Sequence, residues 1–144
     1  MENLICKSLL WKIGLTMGED YNKSLDEVFL KNSENHILLE LECCSSDCDA
    51  TFDILQRYWK YECKDFSVDT FGKCLLEDLK EIYQSNILSI EDYGRKCYSL
   101  WKQLPSELHL EEPFHILSYA DDPLSWNDEG QTRRLYEEFF NFYK

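Results

Sequence analysis

A chain of 144 residues has the size of one ordinary domain, and 44% hydrophobic residues with 15% aromatics give it ample apolar surface to bury, which argues against a disordered polypeptide. Its 28 Asp and Glu against 15 Lys and Arg leave a net charge of −13. Such a chain repels phosphate backbones and anionic membranes, so nucleic-acid or membrane-surface binding is excluded as a primary role.

The first apolar stretch, Leu4–Leu15, follows Glu2 rather than a basic run, contains Lys7 and Lys12, and has no small-residue cleavage site. It is too short to span a bilayer, so a cytoplasmic protein is expected. Leu4–Trp11 reads as a helix. Ser24 and Glu27 have capping-box spacing ahead of Val28, Phe29 and Leu30, which predicts a short helix there. Glu34–Cys43 also reads as helical, although Ile37–Leu41 is open to a buried strand because periodicity cannot settle a short apolar run.

Phe52, Leu55, Trp59 and Cys63 form a stripe that starts a helix near Asp49. Phe71, Leu75, Leu79, Ile82 and Tyr83 form the next, with Asp69 as its expected cap and Ser85-Asn86 as its interruption. The clearest helix carries Ile90, Tyr93, Cys97, Leu100, Trp101 and Leu104 on one face, opens at Ser89 with Asp92 in the third position, and stops before Pro105. Leu135, Phe139 and Tyr143 line a C-terminal helix whose start has the capping pair Asp128 and Gln131 and the weakening Gly130. With no Asn-Gly or Asp-Gly dipeptide, hairpins have little support. The expected fold is all-α, one domain over 1–144, a bundle of roughly six to seven helices compatible with stacked helical hairpins.

The seven cysteines, Cys6, Cys43, Cys44, Cys48, Cys63, Cys74 and Cys97, are odd in number and scattered. In a reducing compartment they are expected as thiols, mostly serving as small buried hydrophobes. Cys44 and Cys48 resemble half of a zinc site, but no second pair completes four ligands.

The position of the charge is more informative. Asn32–Gln56 contains no Lys or Arg and six acids, and Gln103–Thr132 contains none and seven acids, so these two stretches carry the whole net charge of −13. Helix-terminus preference accounts for some of them: Asp47 and Asp49 precede one helix, and Asp128 and Glu129 open another. The rest suggest a surface for a basic partner, most of all in 103–132, where Phe114, Tyr119 and Trp126 interleave with the acids. The two stretches are expected to form one shared anionic patch.

Catalytic patterns fail in context. Tyr119-Ala120-Asp121-Asp122 matches the Tyr-x-Asp-Asp signature of reverse transcriptases, but Pro123 follows at once and the chain is too short for a polymerase palm. His109 and His115 are six apart, not the four of a zinc-binding helix. His36 with Cys43 or Cys44 lacks an orienting third group. The five glycines are isolated, so no phosphate loop exists. No enzyme, cofactor or metal site is expected.

The C-terminal portion, with Trp101-Lys102-Gln103-Leu104-Pro105, Glu112-Pro113-Phe114, Leu117-Ser118-Tyr119-Ala120-Asp121-Asp122-Pro123-Leu124-Ser125-Trp126 and Glu137-Glu138-Phe139-Phe140-Asn141-Phe142-Tyr143, resembles small immunity proteins of bacterial polymorphic-toxin and contact-dependent growth inhibition loci. That resemblance implies a cytoplasmic, non-catalytic inhibitor that binds one cognate toxin domain, often a basic nuclease. It implies no particular architecture, because such families differ in fold. A nuclease must present a cationic groove, and carboxylates of an inhibitor can stand where phosphates would lie. The residues expected to do so are Glu111, Glu112, Asp121, Asp122, Asp128 and Glu129, with Trp126 or Tyr119 as an anchor and Asp47 and Asp49 as a second surface. Two alternatives are a helical adaptor for another partner and a small metal-dependent enzyme using His36, Cys44 and Cys48, or His109 and His115.

Overall fold

A computed structural model describes residues 1–32, 34–62 and 65–143. The fold is all-α, and no strand occurs among the described residues. Among the described residues seven α-helices follow one another: α1 (Glu2–Ile13), α2 (Gly18–Lys31), α3 (His36–Cys43), α4 (Cys48–Arg57), α5 (Val68–Ser85), α6 (Ile90–Gln103) and α7 (Glu129–Phe140). A π-helical turn, Tyr58–Glu62, extends α4, and 3-10 turns occupy Ser106–Leu108, Phe114–Ser118 and Asp122–Trp126. The chain divides into two compact units, Met1–Phe71 and Gly72–Lys144. The base-free stretch Asn32–Gln56 belongs to the first and Gln103–Thr132 to the second. No helix among the described residues is long and apolar enough to cross a membrane.

In the first unit α1 packs on α2 and α4, and α2 on α3. The face of α1 formed by Leu4, Ile5, Leu9 and Leu10 is buried. The helix ends at Gly14, whose φ of 88° suits a residue without Cβ and lets its N–H bond the Leu10 and Trp11 carbonyls. Helix α2 begins at Gly18, six residues before the expected cap Ser24, which is instead buried inside the helix beside Leu25. The three-residue spacing of a capping box is also a helix-interior spacing, and here Tyr21, Ser24 and Leu25 make the buried face. A Cβ at Gly18 would lie 2.8 Å from Cζ2 of Trp11, whose ring stacks on Tyr21 at 5.4 Å.

The Asn35 side chain accepts from the N–H groups of Ile37 (2.9 Å) and Leu38 (3.4 Å) and so starts α3. Ile37–Leu41 is therefore helix, not strand. After α4, Trp59 packs with Phe66 and Phe71 at 4.9 and 5.1 Å. Cys63, expected on the same stripe, lies outside the described residues.

The cap expected of Asp69 falls to Ser67, whose hydroxyl accepts from the Thr70 N–H at 3.1 Å; Asp69 sits in the first turn of α5, where the helix dipole favours an acid. Ser89 caps α6 by accepting from the Asp92 N–H at 3.1 Å, as its spacing predicts. The buried face of α7 is Thr132, Tyr136 and Phe139, one position round from Leu135, and Tyr143 lies beyond the end of the helix. The rotation buries the larger ring: Tyr136 meets Tyr93 edge-on at 5.1 Å and Tyr83 at 6.0 Å. Burial pushes the Cys97 thiol, which faces Tyr93 and Tyr136, up to about 12, so it stays protonated. Cys6 and Cys97 are core residues, but Cys44, Cys48 and Cys74 are half-buried and Cys43 is exposed, so most of the described cysteines are not the buried hydrophobes expected.

Candidate functional site

Between α6 and α7 the chain cannot form a long helix, because Pro105, Pro113 and Pro123 each remove a backbone donor from the helical ladder. It coils instead through the three 3-10 turns. The turn Phe114–Ser118 packs on α6 and α7, and Asp122–Trp126 packs on α7. Leu104, Leu108, Phe114, Ile116, Leu117 and Ala120 point inward and are buried. The acids of the segment are thus held on an irregular but well-anchored surface.

The structure sorts the acids by their partners. Asp47 caps α4 by accepting from the Ala50 N–H at 3.1 Å, and Asp128 caps α7 by accepting from the Gln131 N–H at 3.0 Å. Asp49 is paired with Lys12. Glu129 accepts from Arg133 at 3.1 Å, and the same guanidinium donates to the Tyr83 hydroxyl at 3.0 Å. These four residues of the expected surface serve helix starts and ion pairs. Glu111, Glu112 and Asp122 are exposed, and no Lys or Arg is bonded to them among the described residues.

Asp121 is half-buried against α6 at Gly94. Burial pushes its carboxyl above the ordinary value; its own N–H opposes the rise and Asp122 adds to it. Tyr119 is also half-buried, with His115 against its ring at 5.4 Å. Burial, then the carboxylates of Glu112 and Glu138, raise its hydroxyl. Glu138, on α7, thus joins the acidic surface from outside the base-free stretch. Trp126, at the end of the last 3-10 turn, is 58% exposed.

No protein-family model, curated protein or solved structure matches the chain. The chemistry of the site therefore rests on its own side chains. Among the described residues no group of three or more His, Cys, Asp and Glu is arranged to hold a metal ion. The His109 ring lies on Trp101 and the His115 ring on Tyr119, while the Cys44 thiol faces the Glu40 carbonyl at 3.4 Å.

The raised carboxyl of Asp121 has a consequence for stability. A carboxyl whose pKa is higher in the folded than in the unfolded chain favours folding only while protonated, so its contribution is lost as pH rises from the ordinary value of 3.8 through the raised one. Asp121→Asn is expected to be more stable than the wild type at neutral pH, with the difference vanishing below pH 3.8. Urea midpoints at neutral and acid pH check this.

Proposed function

We propose that the chain is a non-catalytic immunity protein that binds and neutralises a cognate toxin domain, a basic nuclease, through the acidic surface of Gln103–Thr132. One observation carries this reading: exposed Glu111, Glu112 and Asp122 stand without a cationic partner among the described residues, Asp122 on the turn packed against α7 and Glu111 and Glu112 just ahead of the turn packed against α6 and α7, with Trp126 exposed in the same segment. Unpaired carboxylates at this density raise self-repulsion, a cost that complementarity to a cationic surface removes on binding. Because Asp47, Asp49, Asp128 and Glu129 already have intramolecular duties, the partner contact is assigned chiefly to Glu111, Glu112 and Asp122, with Trp126 as the exposed aromatic.

Co-expression with basic nuclease toxin domains, each in turn, tests the reading. Growth should be restored, and the two proteins should elute together as a complex. Continued killing with no complex would contradict it.

A further inference from the structure

The segment that buries Leu104, Leu108, Phe114, Ile116 and Leu117 leaves Leu110 81% exposed. Its backbone is nonetheless well held. The Trp101 Nε1–H donates to the His109 carbonyl at 3.1 Å, the Glu111 N–H donates to the Leu108 carbonyl at 3.2 Å, and the His115 N–H donates to the Glu111 carbonyl at 3.0 Å. The rings continue this order. Tyr98, 38% exposed, stacks on Trp101 at 5.9 Å, and Trp101 lies against His109 at 4.5 Å. A ladder of aromatic faces thus runs from α6 to the exposed Leu110, in a stretch whose exposed Glu107, Glu111 and Glu112 outnumber its single base, Lys102.

We propose that the Tyr98–Trp101–His109 ladder with Leu110 is the docking surface for an arginine-bearing segment of a partner protein. The inference deepens the reading of Gln103–Thr132 as a partner surface and rests on it. Carboxylates alone accept lysine or arginine, but a planar guanidinium also stacks on an aromatic face while pairing with a carboxylate in two-pronged fashion. The ring of Tyr98 already attracts a cation, since the Lys102 ammonium lies 5.3 Å from its centroid. Leu110, held in place before binding, supplies an aliphatic contact with little ordering cost.

The test uses the full chain and two synthetic amphipathic peptides of identical sequence, except that every basic position is Arg in one and Lys in the other, titrated calorimetrically. The Arg peptide should bind about threefold more tightly than the Lys peptide, because only the planar guanidinium can stack on the ring and pair with a carboxylate at two points. Leu110→Ser and Tyr98→Ser should weaken the Arg peptide, and Tyr98→Ser should bring the ratio toward one. Leu30→Ser, at a residue 82% exposed in the first unit, should change neither. Equal binding of the two peptides, no binding, or the same loss in Leu30→Ser overturns the proposal. The toxin domain forms a separate arm. Its undiminished capture by the Leu110→Ser and Tyr98→Ser variants overturns this inference and spares the reading of the acidic surface. Arg-selective peptide binding without toxin capture does the reverse.

Discussion

Reversing charge at Glu111, Glu112 and Asp122 together, each to Lys, is expected to slow association with the toxin domain by about 10- to 100-fold at low salt. All three side chains are exposed, so the helical fold should persist in circular dichroism. The effect is on capture because these carboxylates act across solvent before contact. It should therefore shrink as salt rises, nearly vanishing toward ~1 M, where the screening length falls to about 3 Å. Asp47 and Asp128 give the contrasting control. As caps of α4 and α7, their conversion to Ala should cost ~1 kcal/mol of stability with little change in association rate. Stopped-flow association at several ionic strengths separates the two classes. An unchanged rate in the triple reversal would count against the surface assigned here.

Gly94→Ala is expected to be the most damaging small substitution in the second unit. A Cβ there would lie 2.7 Å from the Asp121 Cβ and 3.4 Å from the Tyr136 hydroxyl. The Asp121 Cβ is tied to its backbone and cannot rotate away, so the stretch leading into the last 3-10 turn must lift from α6. Overpacking of this kind costs ~1–3 kcal/mol, which outweighs the ~1 kcal/mol that alanine gains over glycine inside a helix. Gly72→Ala would meet the Tyr143 hydroxyl more closely still, yet should be close to neutral. There the obstacle is the far end of a side chain beyond the end of α7, which can swing aside. Urea midpoints of the two variants give the comparison, and equal stability would show that Asp121 is not keyed into Gly94. Because the shift moves Asp122 with Asp121, Gly94→Ala should also weaken toxin binding.

The helices were legible wherever a stripe and a cap coincided. Ser89 before the Ile90–Leu104 stripe and Asp128 before α7 both place helix starts correctly. Where the signals separate, tertiary packing decides. Helix α2 begins at Gly18 without any side-chain cap, and the close approach of Trp11 to that glycine is a tertiary contact that no local spacing reveals. The buried face of α7 turns to Tyr136 because Tyr83 and Tyr93 offer it a ring cluster from α5 and α6.

The acidic stretches 32–56 and 103–132 are visible from charge alone, and so are the helix starts at Asp47 and Asp128, but the partners of the other acids are not. The cap roles of Asp47 and Asp128 follow the preference of acids for helix starts. The partner of Asp49 is Lys12, 37 residues away, and Glu138 reaches Tyr119 only through the packing of α7. Neither could be read from neighbours in sequence. Leu110 carried no signal as one leucine among many; its exposure is evident only once the leucines around it are buried.

The most direct test of the account is the hydrogen-exchange footprint of the toxin domain on the full chain. Binding should slow exchange in residues 106–127, centred on Glu111–Glu112 and the Asp122–Trp126 turn. Slowing confined to Met1–Phe71, with 106–127 unchanged in the complex, would contradict it.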